Sequence, residues 1–435
     1  MIIVDTALKK RESEGRPIRV AMVGAGYMGR GIVLQIMSAM PGMRVVAIAN
    51  RSIEQAERAY AQAGIHEVRR VTSVAALEAA IEESAFAVTE NPALLCRAGQ
   101  VEAVVETTGD AEVGAFVTLE TIRHGKHIIL MNAEVDSTVG PILKVHAQRA
   151  GVVYTYTDGD EPGVAMNLYR FVDSIGYKPV LMGQIKGFLN RYRNPETQRA
   201  FAEKTNQKPA MVASFADGSK LAIESTIIGN ATGFLPGKRG MYGYECAHVK
   251  DLLQRFSPHD FRNGGLVDFV LGAEPHTGAF VMGYNDNPVL QQYMSYFKMG
   301  DGPLYMFYTP YHLPHLQLPH SIARAVLFDD PTLTPRGAPV CDTVSCAKRD
   351  LKAGEILDGM GGFTCYGLID TYETCRQSDY LPIALSQGCR LKRDIQKDAP
   401  ISYKDVELPK GRLCDSLRDQ QLRHFGPKTD ASSSA

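Results

Sequence analysis

Ile18-Arg-Val-Ala-Met-Val-Gly24-Ala-Gly26-Tyr-Met-Gly29 decides the fold of this chain. Ile18–Val23 is an almost continuous apolar run, as a strand buried on both faces requires. Gly24, Gly26 and Gly29 follow directly in Gly-x-Gly-x-x-Gly spacing, and a helical pattern opens at Tyr27 and Met28. In such a turn the first glycine allows a tight bend and the second lets the backbone approach a pyrophosphate. The third lets helix and strand pack closely. The helix N-terminus then presents unpaired N–H groups to phosphate oxygens. Gly24, Gly26, Tyr27, Met28 and Gly29 are thus candidate cofactor contacts. The spacing by itself is a weak signal, and its context gives it weight.

Outward from this turn, Arg44–Ala49, Ala103–Thr107, Ile128–Met131 and Val152–Tyr156 read as further buried strands. Helical patterns over Ser52–Ala63, Val74–Glu83 and Val139–Ala150 separate them. This rhythm predicts an α/β Rossmann domain with a doubly wound parallel sheet. The second strand ends Ala49-Asn50-Arg51-Ser52, with no carboxylate for a ribose 2′-hydroxyl. A carboxylate there would repel a 2′-phosphate, whereas Arg51 can grip one and Ser52 can donate to it. NADP(H) is the expected cofactor, with Asn50, Arg51 and Ser52 at its adenosine end. An ordinary solvated helix-start arginine is the alternative reading of Arg51.

The chain has 435 residues, 45% hydrophobic and 22% charged, with a formal net charge of −1. That length suggests about three domains, and the charge balance draws the chain neither to nucleic acid nor to an anionic membrane. No apolar run is long enough to span a bilayer. Met1–Arg19 lacks the apolar core of a secretory signal, so a cytoplasmic location is expected. The eight cysteines include no Cys-x-x-Cys pair and suit buried free thiols.

A nucleotide domain is expected over 1–157, completed by 320–332, where His320–Leu327 reads as a returning helix. A substrate domain is expected over 158–319. In it Gly163–Ile175 looks helical, with Pro162 as a start signal. Pro179–Lys186, Ala210–Ala216 and Lys220–Ile228 read as strands of an open antiparallel sheet, with Asp217-Gly218-Ser219 as a hairpin turn. A linker rich in proline follows, and a small β unit is expected over 338–412. Residues 413–435 read as a tail, and its last residues, from Asp430, as disordered.

Three segments, Gly24–Gly29, Val104-Val-Glu-Thr107-Thr-Gly109 and Lys126-His-Ile-Ile-Leu-Met-Asn132, resemble the nucleotide domain of homoserine dehydrogenases. The resemblance adds Thr107, Gly109 and Asn132 to the cofactor contacts. Asp158-Gly-Asp-Glu-Pro162, Asp217-Gly-Ser-Lys220, Gly229-Asn-Ala-Thr-Gly233, Gly300-Asp-Gly-Pro303 and Pro310-Tyr-His-Leu313 resemble the 1-deoxy-D-xylulose 5-phosphate reductoisomerase-like family. That group is related to homoserine dehydrogenase rather than to the common reductoisomerase. Ala347–Glu355 and Ile395–Ile401 are similar to a SAF domain, a small β-clip module. Such a module can bind sugars, complete an active site or serve only structure and oligomer formation.

Asp158, Asp160 and Glu161 lie where the last Rossmann strand leaves for the second domain, the usual place for a ligand crevice. They are candidates for Mg or Mn ligation or for catalysis, although acidic residues also favour a helix N-terminus. Lys186, at the end of an apolar strand, is a candidate general acid, with Lys204 and Lys220 competing for the role. Any one lysine is also read as a solvated surface residue. Arg191 and Arg193 suit a substrate phosphate or carboxylate, or simply a solvated loop. Glu224 sits within an apolar stretch and, if buried, needs a cation beside it. Lys220, Asn230 and His312 are further candidate substrate contacts. His312, His315 and His320 match no common zinc spacing.

The leading expectation is an NADPH-dependent oxidoreductase acting on a small phosphorylated or polyhydroxy keto or aldehyde substrate. The resemblance implies a reductoisomerase of the 1-deoxy-D-xylulose 5-phosphate type, in isoprenoid precursor synthesis. A homoserine dehydrogenase-like reductase without rearrangement is the close alternative, and a non-catalytic NADP or carbohydrate sensor the distant one. A homodimer or higher homo-oligomer is expected, as in related dehydrogenases.

Overall fold

In the computed structural model, which describes residues 4–426, the first strand and its glycine turn organise a parallel sheet. The elements of this half are α1 (Val4–Ser13), β1 (Ile18–Val23), α2 (Tyr27–Ala39), β2 (Met43–Ala49), α3 (Ile53–Gln62), β3 (Val68–Arg70) and α4 (Val74–Glu82). They continue as β4 (Phe86–Thr89), α5 (Pro92–Arg97), β5 (Ala103–Glu106), α6 (Ala111–Arg123), β6 (His127–Leu130), α7 (Ala133–Ala150) and β7 (Tyr154–Tyr156). The strand order is β3-β4-β2-β1-β5-β6-β7, parallel throughout. The order reverses between β1 and β5, and that switch point is where such sheets open a crevice for a ligand. Val20, Met22, Val45, Val104 and Ile128 are wholly buried because helices cover both faces.

The chain then enters α8 (Glu161–Ser174), β8 (Lys178–Lys186), α9 (Arg199–Lys204), α10 (Pro209–Ala216) and α11 (Ser219–Thr232). After these come β9 (Leu235–Pro236), β10 (Tyr244–Glu245), β11 (Leu266–Leu271), β12 (Ala279–Tyr284), α12 (Pro288–Tyr296) and β13 (Leu304–Thr309). They form a mixed sheet of order β10-β11-β8-β12-β13. β8, β9 and β10 run parallel to β11, whereas β12 is antiparallel to β8 and β13, so the expected antiparallel sheet is only half realised.

The stretches Ala210–Ala216 and Lys220–Ile228, expected as strands, are helices. Every residue of α11 is buried, so no polar stripe marks a 3.6-residue period, and Ile223, Thr226, Ile227 and Ile228 imitate a strand. Asp217-Gly218-Ser219 accordingly joins two helices, with Gly218 at φ 84° capping the start of α11.

Helix α13 (Pro314–Phe328) returns and packs on α2 of the first half. A smaller unit follows, with β14 (Cys341–Ala347) antiparallel to β15 (Cys365–Thr371), then α14 (Tyr372–Gln377). The short pair β16 (Arg390–Leu391) and β17 (Val406–Glu407) completes it. Residues 413–425, expected in a tail, form α15 (Leu413–Phe425), whose Leu417 packs in the main core. Arg418 of that helix pairs with buried Asp342 and donates to Thr138 O. The disordered segment expected from Asp430 lies outside the described residues.

The halves are not separate bodies. Ile223 and Ile227 of α11 belong to one core cluster with Val139 and Leu143 of α7 and Ala347, Leu381 and Ile383 of the C-terminal unit. Each of these Ile, Leu and Val side chains contributes about 1.5–3 kcal/mol by burial. All eight cysteines are free thiols, and all but Cys246 are buried. No helix among the described residues is long and apolar enough to cross a membrane.

Candidate functional site

The glycine turn is an open backbone cradle. Gly24 has φ 105°, and a Cβ on Gly29 would lie 2.4 Å from Gly24 O, so helix and turn touch as only glycines allow. Gly26 caps α2 without any side-chain bond, leaving the helix N–H groups free, and the space around its missing Cβ is open. Asn50 Oδ1 accepts from Ala25 N at 3.1 Å and so ties the second strand to the turn. Thr107 Oγ1 donates toward Val23 O and Gly24 O, both 3.1 Å away. Asn132 caps α7 and donates to Asp110 O, and Gly109 turns at φ 67° between these strand ends. Tyr27 is half exposed above the turn.

Arg51 is exposed beyond β2, with no ion-pair partner among the described residues, while Ser52 bonds Glu54. Arg30, which the sequence reading missed, reaches Ala25 O and sits close enough to Arg58 for the two to repel. A helix-borne arginine in an amphipathic pattern carries no signal of this, because only the fold brings α2 beside α3.

The second cluster lies where α7, α8, β8 and α11 converge. Gly159, at φ 81° and against Leu313 O, turns the chain so that Asp160 and Glu161 begin α8. Lys186 ends β8, and its Nζ donates to Glu161 Oε1 at 2.6 Å and stands 3.9 Å from Glu224 Oε2. Lys220 Nζ donates to Glu134 Oε1 at 3.2 Å. His312 Nε2 is 3.6 Å from Glu161 Oε2, and its Nδ1 bonds Thr277 Oγ1 at 3.0 Å. The hydroxyl of Tyr156 donates to Asp160. Acids and bases from these four elements and the loop at His312 thus alternate along one largely buried row, with Lys186 and His312 partly exposed.

Burial and its neighbours set the protonation of this row. Burial and the charge of Glu161 push Asp160 up to about 6. Burial opposes ionisation of Glu161 too, but Lys186 and His312 outweigh it and hold this carboxyl below the usual range. Glu224 is raised well above an ordinary glutamate by burial and by Glu161. Burial would lower Lys186 and Lys220, yet their carboxylate partners prevail and both are raised, so both stay charged.

Asp160, Glu161 and Glu224 each offer an oxygen, all within 4.8 Å of one another, and Glu224 Oε2 is buried with no hydrogen-bond partner. Three hard oxygens with one left orphaned fit a divalent cation such as Mg or Mn. Asp158, expected as a third ligand, is turned aside, its Oδ1 bonded to Gly159 N and Asn167 Nδ2. Glu224 stands in its stead.

Other expected residues are elsewhere. Lys204 is exposed at the end of α9. Asn230 is spent on the C-terminal unit, accepting from Val340 N and Cys341 N. Arg191 stacks over Tyr366 of that unit, and Arg193 over Phe188, with Nε buried and unpartnered. His315 packs against Gly31 of α2, away from His312.

Glu134, Tyr156 and Gln184 were not singled out from sequence. Glu134 reads as an acid suited to a helix start, and Tyr156 as a strand end. Gln184, two residues before Lys186 on the same strand face, has both amide atoms buried and unpartnered. An open cleft of about 520 Å³, lined by Gly187, Phe188, Leu189, Cys246 and Gly272, lies just beyond Lys186 at the strand ends.

The sequence profile described as "Oxidoreductase DRL, catalytic domain" matches residues 159–318. That of "Shikimate / quinate 5-dehydrogenase" matches residues 6–117. No curated protein matches the chain significantly. Among solved structures, a homoserine dehydrogenase from Thiobacillus denitrificans is 14% identical at TM-score 0.40, over 88% of this chain and 97% of that one. A probable dehydrogenase from Thermotoga maritima is 10% identical at TM-score 0.42, over 74% of this chain and 91% of that one. The oxidoreductase match covers α8, β8 and α11, which carry most of the charged row, and the dehydrogenase match covers the glycine turn. The chain is an oxidoreductase of the NAD(P) type.

Proposed function

We propose that this chain is an NADPH-dependent reductase of a small phosphorylated keto compound, of the 1-deoxy-D-xylulose 5-phosphate reductoisomerase-like type. The observation that carries the reading is the largely buried row Glu134, Lys220, Glu224, Lys186, Glu161 and His312. A plain dehydrogenase needs one proton mover and one anchor, whereas this row holds several of each.

The glycine-turn amides would hold the pyrophosphate, with Arg30 close to the turn, and Arg51 would face a 2′-phosphate. Bound NADPH supplies the hydride. A cation held by Asp160, Glu161 and Glu224 would polarise the keto oxygen and its neighbouring hydroxyl. Rearrangement of a hydroxyketone breaks one carbon–carbon bond and makes another. One hydroxyl loses a proton, the keto oxygen gains one, and an isomeric aldehyde results. Reduction then requires one proton at the aldehyde oxygen as hydride reaches its carbon.

Lys186 is charged and can donate a hydrogen bond to the developing alkoxide, a contribution worth about 2.7–4 kcal/mol for a well-placed donor. Tyr156 donates to Asp160 and would orient it as one of the three oxygen ligands. Arg193, with a buried Nε lacking a partner, suits the substrate phosphate.

The test is NADPH oxidation against free and phosphorylated ketoses, with and without Mg²⁺ or Mn²⁺. Metal-dependent oxidation with 1-deoxy-D-xylulose 5-phosphate, giving a branched product, is expected. Metal-independent reduction of an unrearranged aldehyde would move the assignment to a homoserine dehydrogenase-like enzyme. Cofactor binding without turnover of any compound would leave a sensor.

A further inference from the structure

We infer that the C-terminal unit is a working part of the catalytic assembly, and that Lys348 is the positioning residue through which it holds the substrate loop 187–198 and the start of α11. The inference rests on the function proposed above for what the loop does, but not for how it is held.

Lys348 lies just past β14, with its side chain 4% exposed. Its ammonium donates to two backbone carbonyls and pairs as an ion with a buried carboxylate. Nζ is 2.6 Å from Arg193 O in the loop, 2.7 Å from Gly362 O in its own unit and 2.8 Å from Asp217 Oδ2. Asp217 Oδ1 in turn accepts from Ser219 N at 2.7 Å, at the first residue of α11. One nitrogen therefore ties three segments distant in sequence, among them the loop that follows Lys186 and the helix that carries Lys220 and Glu224.

Other contacts run the same way. Asn190 N donates to Ala216 O at 2.8 Å, fastening the loop to the end of α10. Gly367 N of β15 donates to Ser219 Oγ at 2.8 Å, and Thr226 Oγ1 meets Thr343 Oγ1 of β14 at 2.8 Å. At the outer rim the Tyr192 hydroxyl donates to Asp398, which also accepts from Tyr366, and Lys397 lies 3.8 Å above the Tyr192 ring. Otherwise the loop is held by its own turns at Asn190 and Asn194 and by Leu189 against the core, while Phe188, Arg191 and Tyr192 are exposed and no strand or helix spans 187–198. Arg193 is thus aimed by the carbonyl of its own residue, gripped from another part of the chain.

A change at Lys348 should act on substrate binding more than on cofactor binding, because the glycine turn is far along the chain and makes none of these contacts. The experiment uses the full chain with two independent sets of changes. Lys348→Met with Asp217→Asn removes both charges, so that neither is left buried alone. Tyr192→Phe with Lys397→Ala opens only the outer rim and leaves the core intact. Hydrogen exchange of amides 188–198 is measured by mass spectrometry, together with the NADPH dissociation constant, and KM and kcat for 1-deoxy-D-xylulose 5-phosphate.

The expected result is exchange faster by about tenfold or more in 188–198, with NADPH affinity unchanged. KM should rise about tenfold, more than kcat falls, with Lys348→Arg recovering most of the loss. The rim variant should show the same pattern more weakly. Unchanged exchange of 188–198 in the Lys348 variant, or in the rim variant should the first fail to fold, overturns the inference. So does equal loss of NADPH and substrate binding. If the wild-type chain reduces no ketose, the proposed function falls, while loop exchange and NADPH affinity still decide the role of Lys348.

Discussion

Replacing Glu106 by Gln tests how the nucleotide half tolerates an acid buried at the end of β5. Glu106 is wholly buried, with Oε1 accepting from Thr108 N at 2.7 Å and Oε2 lacking any partner. Burial pushes its carboxyl from the ordinary 4.5 up to about 7, because no cation lies against it. Between those values the folded protein keeps a proton that the unfolded chain has lost. Stability from this group is therefore complete below pH 4.5, falls as pH rises, and is gone above about 7. At about 1.4 kcal/mol per pH unit the loss amounts to roughly 3 kcal/mol. Gln keeps the shape of the protonated acid and cannot ionise.

The chain has no tryptophan, so thermal unfolding is followed by far-ultraviolet circular dichroism, at about pH 5 and about pH 8.5. Asp136, Asp160 and Asp268, raised by burial to about 7, 6 and 6, contribute the same background to both proteins and cancel in the comparison. The two proteins should melt within about 1 °C at the lower pH, and Glu106→Gln several degrees higher at the upper. A gap that is the same at both pH values, or a mutant less stable at high pH, would refute the reasoning.

Lys186→Met should lower kcat/KM by about 100-fold or more while leaving NADPH affinity intact, read by steady-state kinetics and nucleotide fluorescence titration. Arg51→Glu should weaken NADPH by about tenfold or more and NADH far less, since only the former carries the 2′-phosphate. Arg418→Leu strands Asp342 and should destabilise by about 3–5 kcal/mol, whereas adding Asp342→Leu should recover most of it in chemical denaturation. Mn²⁺ binding followed by electron paramagnetic resonance should weaken as pH falls, since protons compete for Asp160 and Glu224, both raised by burial, and should vanish in Glu224→Gln.

Much of this was legible in the chain because the signals are local. A glycine turn between an apolar strand and a helix has one physical use, and the alternation of Val/Ile runs with helices has few topologies open to it. The absence of a carboxylate after Ala49 pointed to the 2′-phosphate, and the acids at Asp160 and Glu161 stood at a strand end.

What only tertiary structure decided is which charges meet. Lys186, Lys220 and Lys204 are alike as letters, but two are drawn largely out of water beside carboxylates and the third is exposed. Asp158 and Asp160 differ by two positions, and a single turn at Gly159 sends them apart. Helix α11 hid as a strand because a helix buried on every side has no polar face to reveal its period. Its burial comes from three neighbours distant in sequence, α7, α8 and the C-terminal unit, and no local pattern encodes a contact made across such separations.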